Sequence, residues 1–198
     1  MIQSPNPTIR RLLLRMLRVQ VQGADMLSEA LEQGRVLIAA NHVSYLDGVI
    51  IALASPSPLL FPVDTTFSRD SFLASRFLNM LQRFGWGEVV PMDSANPAAL
   101  KTLKRRLDQG ANVLIFPEGQ ISCDGRPTAE MPGTQWLASK TGARRLHLQI
   151  EGAQNSRLFG KSGREVWPAI TLNFYVASRA GSALARTQAK ASTQFSVA

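Results

Sequence analysis

Short, continuous apolar runs punctuate the chain, and the stretches between them carry the periodicity of helices. Val36–Ala40 (VLIAA) is the plainest of these runs, with no alternation, as suits a strand covered on both faces. Polar Asn41–Ser44 follows, then the helical pattern Tyr45–Ala54, so the region reads as strand, turn, helix. Further strand-like runs occur at Leu59–Val63, Glu88–Met92, Asn112–Phe116, Leu146–Ile150 and Ile170–Val176. Helix candidates lie between them. They are Arg69–Phe84, Pro97–Asp108 with Gly110 as terminator, and Thr134–Thr141 ending at Gly142. This alternation predicts an α/β single domain with a mixed, largely parallel sheet flanked by helices, its functional loops at the carboxyl ends of the strands. With 198 residues, 45% of them hydrophobic, there is material for one such core and not for two.

The predicted domain is preceded by an amphipathic segment. At about 100° per residue, Arg11, Arg15 and Arg18 fall on one narrow face of a helix over Ile9–Val21. Ile9, Leu12, Leu13, Met16, Leu17 and Val19 occupy the opposite arc, and Thr8 stands where a cap belongs. No acid precedes Asp25, so the segment carries +4. Two readings stay open: a helix in the headgroup layer of an anionic membrane, or a helix packed on the domain with a solvated arginine face. The arginines, and the lack of a small-residue cleavage site, argue against a secretory signal. The longest uncharged run, Gly48–Val63, has 16 residues broken by Pro56, Pro58 and Pro62, too short to span a bilayer. The expected organisation is therefore an amphipathic membrane-associating helix over 1–24, the α/β domain over 25–177, and a poorly ordered tail or linker over 178–198, rich in Ala, Ser, Thr, Gln and basic residues.

A net charge of +8 and a pI near 10.5 imply an anionic partner: nucleic acid, an acidic lipid surface or an acidic carrier protein. The arginines cluster on the amphipathic segment and no nucleic-acid-binding motif is present, so nucleic acid is not an expected partner. Cys123 is the single cysteine, which excludes an intramolecular disulfide and reads as a spare thiol. His147 sits inside an apolar strand pattern and reads as structural. Neither a cofactor nor a metal site is suggested.

Two motifs carry chemistry. In Asn41-His42-Val43-Ser44-Tyr45-Leu46-Asp47, a histidine and a carboxylate lie five residues apart across a strand-to-helix turn. Ser44 and Asp47 have capping-box spacing, so a carboxylate reaching back over the helix start lies near the histidine before the cap. Asp47 can then hold one ring nitrogen and leave the other free, as a general base for a hydroxyl nucleophile requires. The second motif, Phe116-Pro117-Glu118-Gly119, places a carboxylate in a tight turn at a strand's carboxyl edge. There Glu118 can accept hydrogen bonds from a polyol, and Gly119 allows close backbone approach.

NHVSYLD followed downstream by FPEG resembles the phospholipid/glycerol acyltransferase family, whose members carry an N-H-x-x-x-x-D block and an F-P-E-G block in that order. The resemblance runs from about Val36 to Gly152, with IEGA at 150–153 similar to the family's final apolar block. It implies transfer of a fatty acyl group from an acyl-carrier protein or acyl-CoA thioester to the free hydroxyl of a lysophospholipid. It also implies His42 and Asp47 as the catalytic pair, with Glu118, Gly119, Asn41 and Ser44 at the acceptor. Family members that use lysophosphatidic acid carry two arginines where this chain has Ser94 and Ile121. The patterns VVPMD and FPEGQIS look more like the acyltransferase part of bifunctional 2-acylglycerophosphoethanolamine acyltransferase/acyl-carrier-protein synthetases. A lysophosphatidylethanolamine-like acceptor is therefore expected, with lysophosphatidic acid as the alternative and an inactive membrane lipid-binding module as the non-enzyme alternative. The expected location is cytoplasmic, peripheral on the inner face of the cell membrane.

Overall fold

A computed structural model describes residues 6–64, 83, 85–92, 97–126 and 128–176. The helix expected over Arg69–Phe84 lies outside the described residues apart from position 83, and so do Ser94 and the tail over 178–198. Among the described residues seven strands form one sheet: β1 (Val19–Gln22), β2 (Val36–Ala40), β3 (Leu59–Asp64), β4 (Gly87–Met92), β5 (Val113–Ile115), β6 (Arg144–Glu151) and β7 (Ile170–Tyr175). Their spatial order is β1-β7-β6-β2-β5-β3-β4. The five strands β2 to β6 run parallel, β7 runs antiparallel to β6, and β1 pairs parallel to β7 at the edge.

The central strand, β2, is buried at all five positions because helices cover both faces. On one face Ile38 and Ala40 pack with Ile50 and Ile51 of α3 (Asp47–Ala54), and with Leu27 and Leu31 of α2 (Ala24–Gln33). The opposite face sets Leu37 and Ala39 against Leu103 and Leu107 of α4 (Pro97–Asp108) and Leu137 of α5 (Pro132–Thr141). Such two-sided burial is why VLIAA shows no alternation.

The N-terminal segment differs from the expected helix over 1–24. Helix α1 spans Pro7–Met16, and its cap is Asn6 rather than Thr8: the Asn6 side chain accepts the Thr8 N–H at 2.9 Å. Arg18, at φ 54°, then turns the chain into β1. The alternation Val19-Gln20-Val21-Gln22 is a strand pattern, with Val19 buried and both glutamines exposed, which a helical reading carried on past Met16 conceals. Residues 19–22 thus belong to the sheet, where they pair with Ile170–Asn173. Helix α2 was not expected, although Leu27, Ala30 and Leu31 between Gly23 and Gly34 carry its spacing. Leu13 and Leu14 of α1 and Leu17 just after it pack against the core, and the Arg10 Nε–H donates to the Leu53 carbonyl at 2.8 Å. Burial lowers the Arg10 pKa below the usual guanidinium value. No helix among the described residues is long and apolar enough to cross a membrane.

Leu107 is fully buried between α4 and the sheet. Leu107→Ala is expected to lower the unfolding free energy by about 2–5 kcal/mol through lost burial plus a cavity. Equilibrium denaturation measures this, and a change under about 1 kcal/mol would show that the helix repacks freely.

Candidate active site

Strands β2 and β5 are neighbours, and their chains leave in opposite directions: β2 continues into α3 over one face, while β5 leads to α5 over the other. The loops at their carboxyl ends therefore head toward opposite faces of the sheet, the position at which open α/β sheets bind ligands. Both motifs begin there.

Asn41 closes the end of β2. Its side-chain Oδ1 accepts the Ile150 N–H at 2.7 Å, and its Nδ2–H donates to the Ile150 carbonyl at 2.9 Å, so the amide supplies one more rung between β2 and β6. The chain then bends through His42–Leu46 into α3, folding around the Asp47 carboxylate, which has no solvent exposure. Asp47 Oδ2 accepts the backbone N–H groups of Val43 and Ser44 at 2.7 and 2.8 Å, while Oδ1 accepts the Ser44 hydroxyl at 2.5 Å. Ser44 Oγ accepts the Leu46 N–H at 3.2 Å. The capping box anticipated from the Ser44–Asp47 spacing is present in its reciprocal half, and the negative carboxylate sits at the positive end of α3.

His42 Nδ1 lies 2.9 Å from Asp47 Oδ2. That oxygen can only accept, so the proton in this contact resides on Nδ1 and the lone pair of the neutral ring on Nε2. Beneath the imidazole lies Phe116, the residue after β5, with ring centroids 4.0 Å apart and planes inclined by 16°. One ring nitrogen is thus anchored, one face is covered, and 17% of the side chain remains accessible. The site needs Phe116 as a support for His42. In sequence Phe116 marks only the end of a strand, since nothing local says which ring it meets.

The second loop is tied to the first by the Ser122 N–H, which donates to the His42 carbonyl at 2.7 Å. Within it, the Gly119 N–H donates to the Phe116 carbonyl at 3.0 Å, and Gly119 adopts φ 67°. A Cβ there would meet Met131 Sδ at 2.5 Å, a contact the exposed methionine relieves by moving, so it is the backbone conformation that selects glycine. Glu118 Oε2 accepts the Thr128 hydroxyl at 3.1 Å. Ile121 is buried, and Asp124 closes the turn by accepting the Arg126 N–H at 3.0 Å, which is the main reason its carboxyl lies below the usual range. Geometry thus joins His42 directly to Asp47 and brings the Phe116–Gly119 turn alongside. Asn41 and Ser44 direct their side chains to Ile150, Asp47 and Leu46, so in this structure they hold the turn's shape. His147 is half-buried on β6 and stacks on Tyr175 at 5.5 Å, with burial and then the Arg145 charge lowering its pKa. Cys123 is exposed.

The acyltransferase family model matches residues 18–168, and the chain belongs to that family. Over 154 residues it is 26% identical to the chloroplastic 1-acyl-sn-glycerol-3-phosphate acyltransferase of Arabidopsis thaliana, an alignment covering 74% of this chain and 39% of that protein. The chain thus spans about two fifths of that relative's length. Its fold is similar to the crystal structure of the 1-acyl-sn-glycerophosphate acyltransferase of Thermotoga maritima, with a TM-score of 0.54 and 20% identity over 88% of this chain and 72% of that one.

Asp47→Ala leaves two buried N–H groups and the His42 ring nitrogen without their acceptor. The expected loss of stability is about 2–5 kcal/mol, at roughly 1–3 kcal/mol for each unsatisfied buried group. A thermal melt unchanged from wild type would show that the turn is held by other contacts.

Proposed function

We propose that this chain is an O-acyltransferase that moves a fatty acyl group from a thioester donor, acyl-carrier protein or acyl-CoA, to the free hydroxyl of a lysophospholipid. The observation that carries this reading is His42, with Nδ1 held by a buried carboxylate and Nε2 left with its lone pair. Nε2 takes the proton of the acceptor hydroxyl as its oxygen attacks the thioester carbonyl. The tetrahedral oxyanion then collapses, the carbon–sulfur bond breaks, and the leaving thiolate takes the proton from the imidazolium. Asp47 acts through His42 by fixing the ring and balancing its transient positive charge. Glu118 and Gly119, beside the histidine's platform, are assigned to the acceptor, where Glu118 accepts hydrogen bonds from the glycerol headgroup. Asn41 and Ser44 contribute by shaping the turn. The enzyme works peripherally on the cytoplasmic face of the membrane, with the exposed stripe Ile9, Leu12 and Met16 of α1 toward lipid and Arg11 and Arg15 toward anionic headgroups.

The favoured acceptor is zwitterionic, like lysophosphatidylethanolamine. A phosphomonoester is best held by arginine forks, and Ile121, where an arginine is expected for such an acceptor, is instead a buried apolar side chain. The names of both relatives favour a second reading, with 1-acylglycerol-3-phosphate as acceptor. Comparing kcat/KM for the two acceptors with one donor decides between them. A preference of about tenfold or more for the zwitterionic lipid is expected from the lost charge-assisted hydrogen bonds. His42→Ala is expected to lower acyl transfer by about 10²–10⁴-fold in a chain that still folds, because Asp47 keeps the Val43 and Ser44 donors. Activity within a few-fold of wild type would sink the base assignment and leave a lipid-binding module as the better description.

A further inference from the structure

Between a single 3-10 turn at Ala153–Asn155 and β7, the loop 156–168 places Leu158, Val166 and Trp167 in solvent, 54%, 53% and 44% exposed. Exposed Arg157, Lys161 and Arg164 accompany them, against one carboxylate, Glu165. Apolar side chains of this size, ringed by cations, are the composition of a surface that meets an anionic lipid layer.

Two of the loop's bonds reach the end of α1 and the turn that carries His42. The Trp167 Nε1–H donates to the Met16 carbonyl at 2.7 Å, and Arg18 Nη1 returns a bond to the Trp167 carbonyl at 2.8 Å. Met16 is itself 60% exposed, the last residue of α1 and of the apolar stripe described above. The indole's polar handle is therefore satisfied by the end of α1 while its apolar body faces outward, an arrangement suited to the boundary between headgroups and acyl chains. Elsewhere in the loop, the Phe159 carbonyl accepts the Tyr45 N–H at 2.9 Å, within the turn that carries His42.

We propose that the loop 156–168 is a second membrane-docking element, continuous with α1 through the Trp167–Met16 bond, and that the two together seat on an anionic bilayer. The inference rests on the membrane-peripheral reading of α1 given above. Cations on both elements, Arg11, Arg15 and Arg18 on or beside α1 and three in the loop, face one acid, so the charge complement is an acidic lipid surface. Because the loop is bonded to the His42 turn as well as to α1, docking fixes how that turn meets the lipid.

The test uses the full chain and vesicles of phosphatidylcholine with and without phosphatidylglycerol, read by co-sedimentation. The triple variant R157Q/K161Q/R164Q is expected to partition about tenfold or more weakly onto the anionic vesicles at low salt. High salt removes that difference. Trp167→Ser is expected to weaken binding to both vesicle types, and turnover of a monomeric short-chain lysophospholipid by the triple variant stays at the wild-type rate. If both loop variants sediment like wild type while Leu12→Ser/Met16→Ser does not, the loop is no docking element and the inference falls, with the α1 reading intact. If the wild-type chain itself ignores anionic vesicles, the reading beneath it fails. Retained vesicle binding with loss of transfer from acyl-carrier protein alone would overturn the inference in favour of an acidic protein partner.

Discussion

A carboxylate with no access to water must be given donors, and the way this chain supplies them to Asp47 organises everything around it. Two backbone N–H groups, a hydroxyl and an imidazole N–H converge on its two oxygens, all from the five residues that precede it. The turn cannot adopt another shape without stranding a buried charge, which costs far more than the few kcal/mol that separate folded from unfolded chains. Helix α3 starts where it does, and His42 points where it does, because of that requirement. The orientation of its ring is a by-product of satisfying a buried group, so the proposed base role and the stability of the turn are not in competition at this position.

The rest of the sheet places that turn beside the one residue it lacks. Phe116 comes from β5, which the chain reaches only after β3, β4 and α4, yet β5 inserts between β2 and β3 and brings its carboxyl end against His42. The Ser122–His42 and Asn41–Ile150 hydrogen bonds then lock three parallel strands, β2, β5 and β6, at a common edge. A short β5 of three residues suffices because its neighbours on both sides are fixed.

What was legible beforehand was local. The bounds of β2 and α4 follow from an uninterrupted apolar run and from a helix framed by Pro97 and Gly110. The His42–Asp47 contact follows from five-residue spacing across a helix start, a distance within one turn's reach. Pairings between distant strands were hidden: the stacking of Phe116 on His42, and the engagement of Asn41 with Ile150, depend on strand order, which no window of sequence contains. The strand Val19–Gln22 was hidden for another reason, since a period-2 segment that follows a helix directly extends the apolar arc for two more residues. Trp167 carried no local signal, because its partner is a main-chain carbonyl that every residue possesses.

Pairing of β1 with β7 joins the two ends of the described fold, with Arg18 and Trp167 bonded across 149 positions of sequence. A ribosome releases the N-terminus first, so Val19–Gln22 must wait without its strand partner until nearly the whole domain has been synthesised. In that interval Leu13, Leu14 and Leu17 lack the finished core against which they later pack. The edge pairing is therefore a contact that can close only after β7 has been made, when the other strands of the sheet already exist.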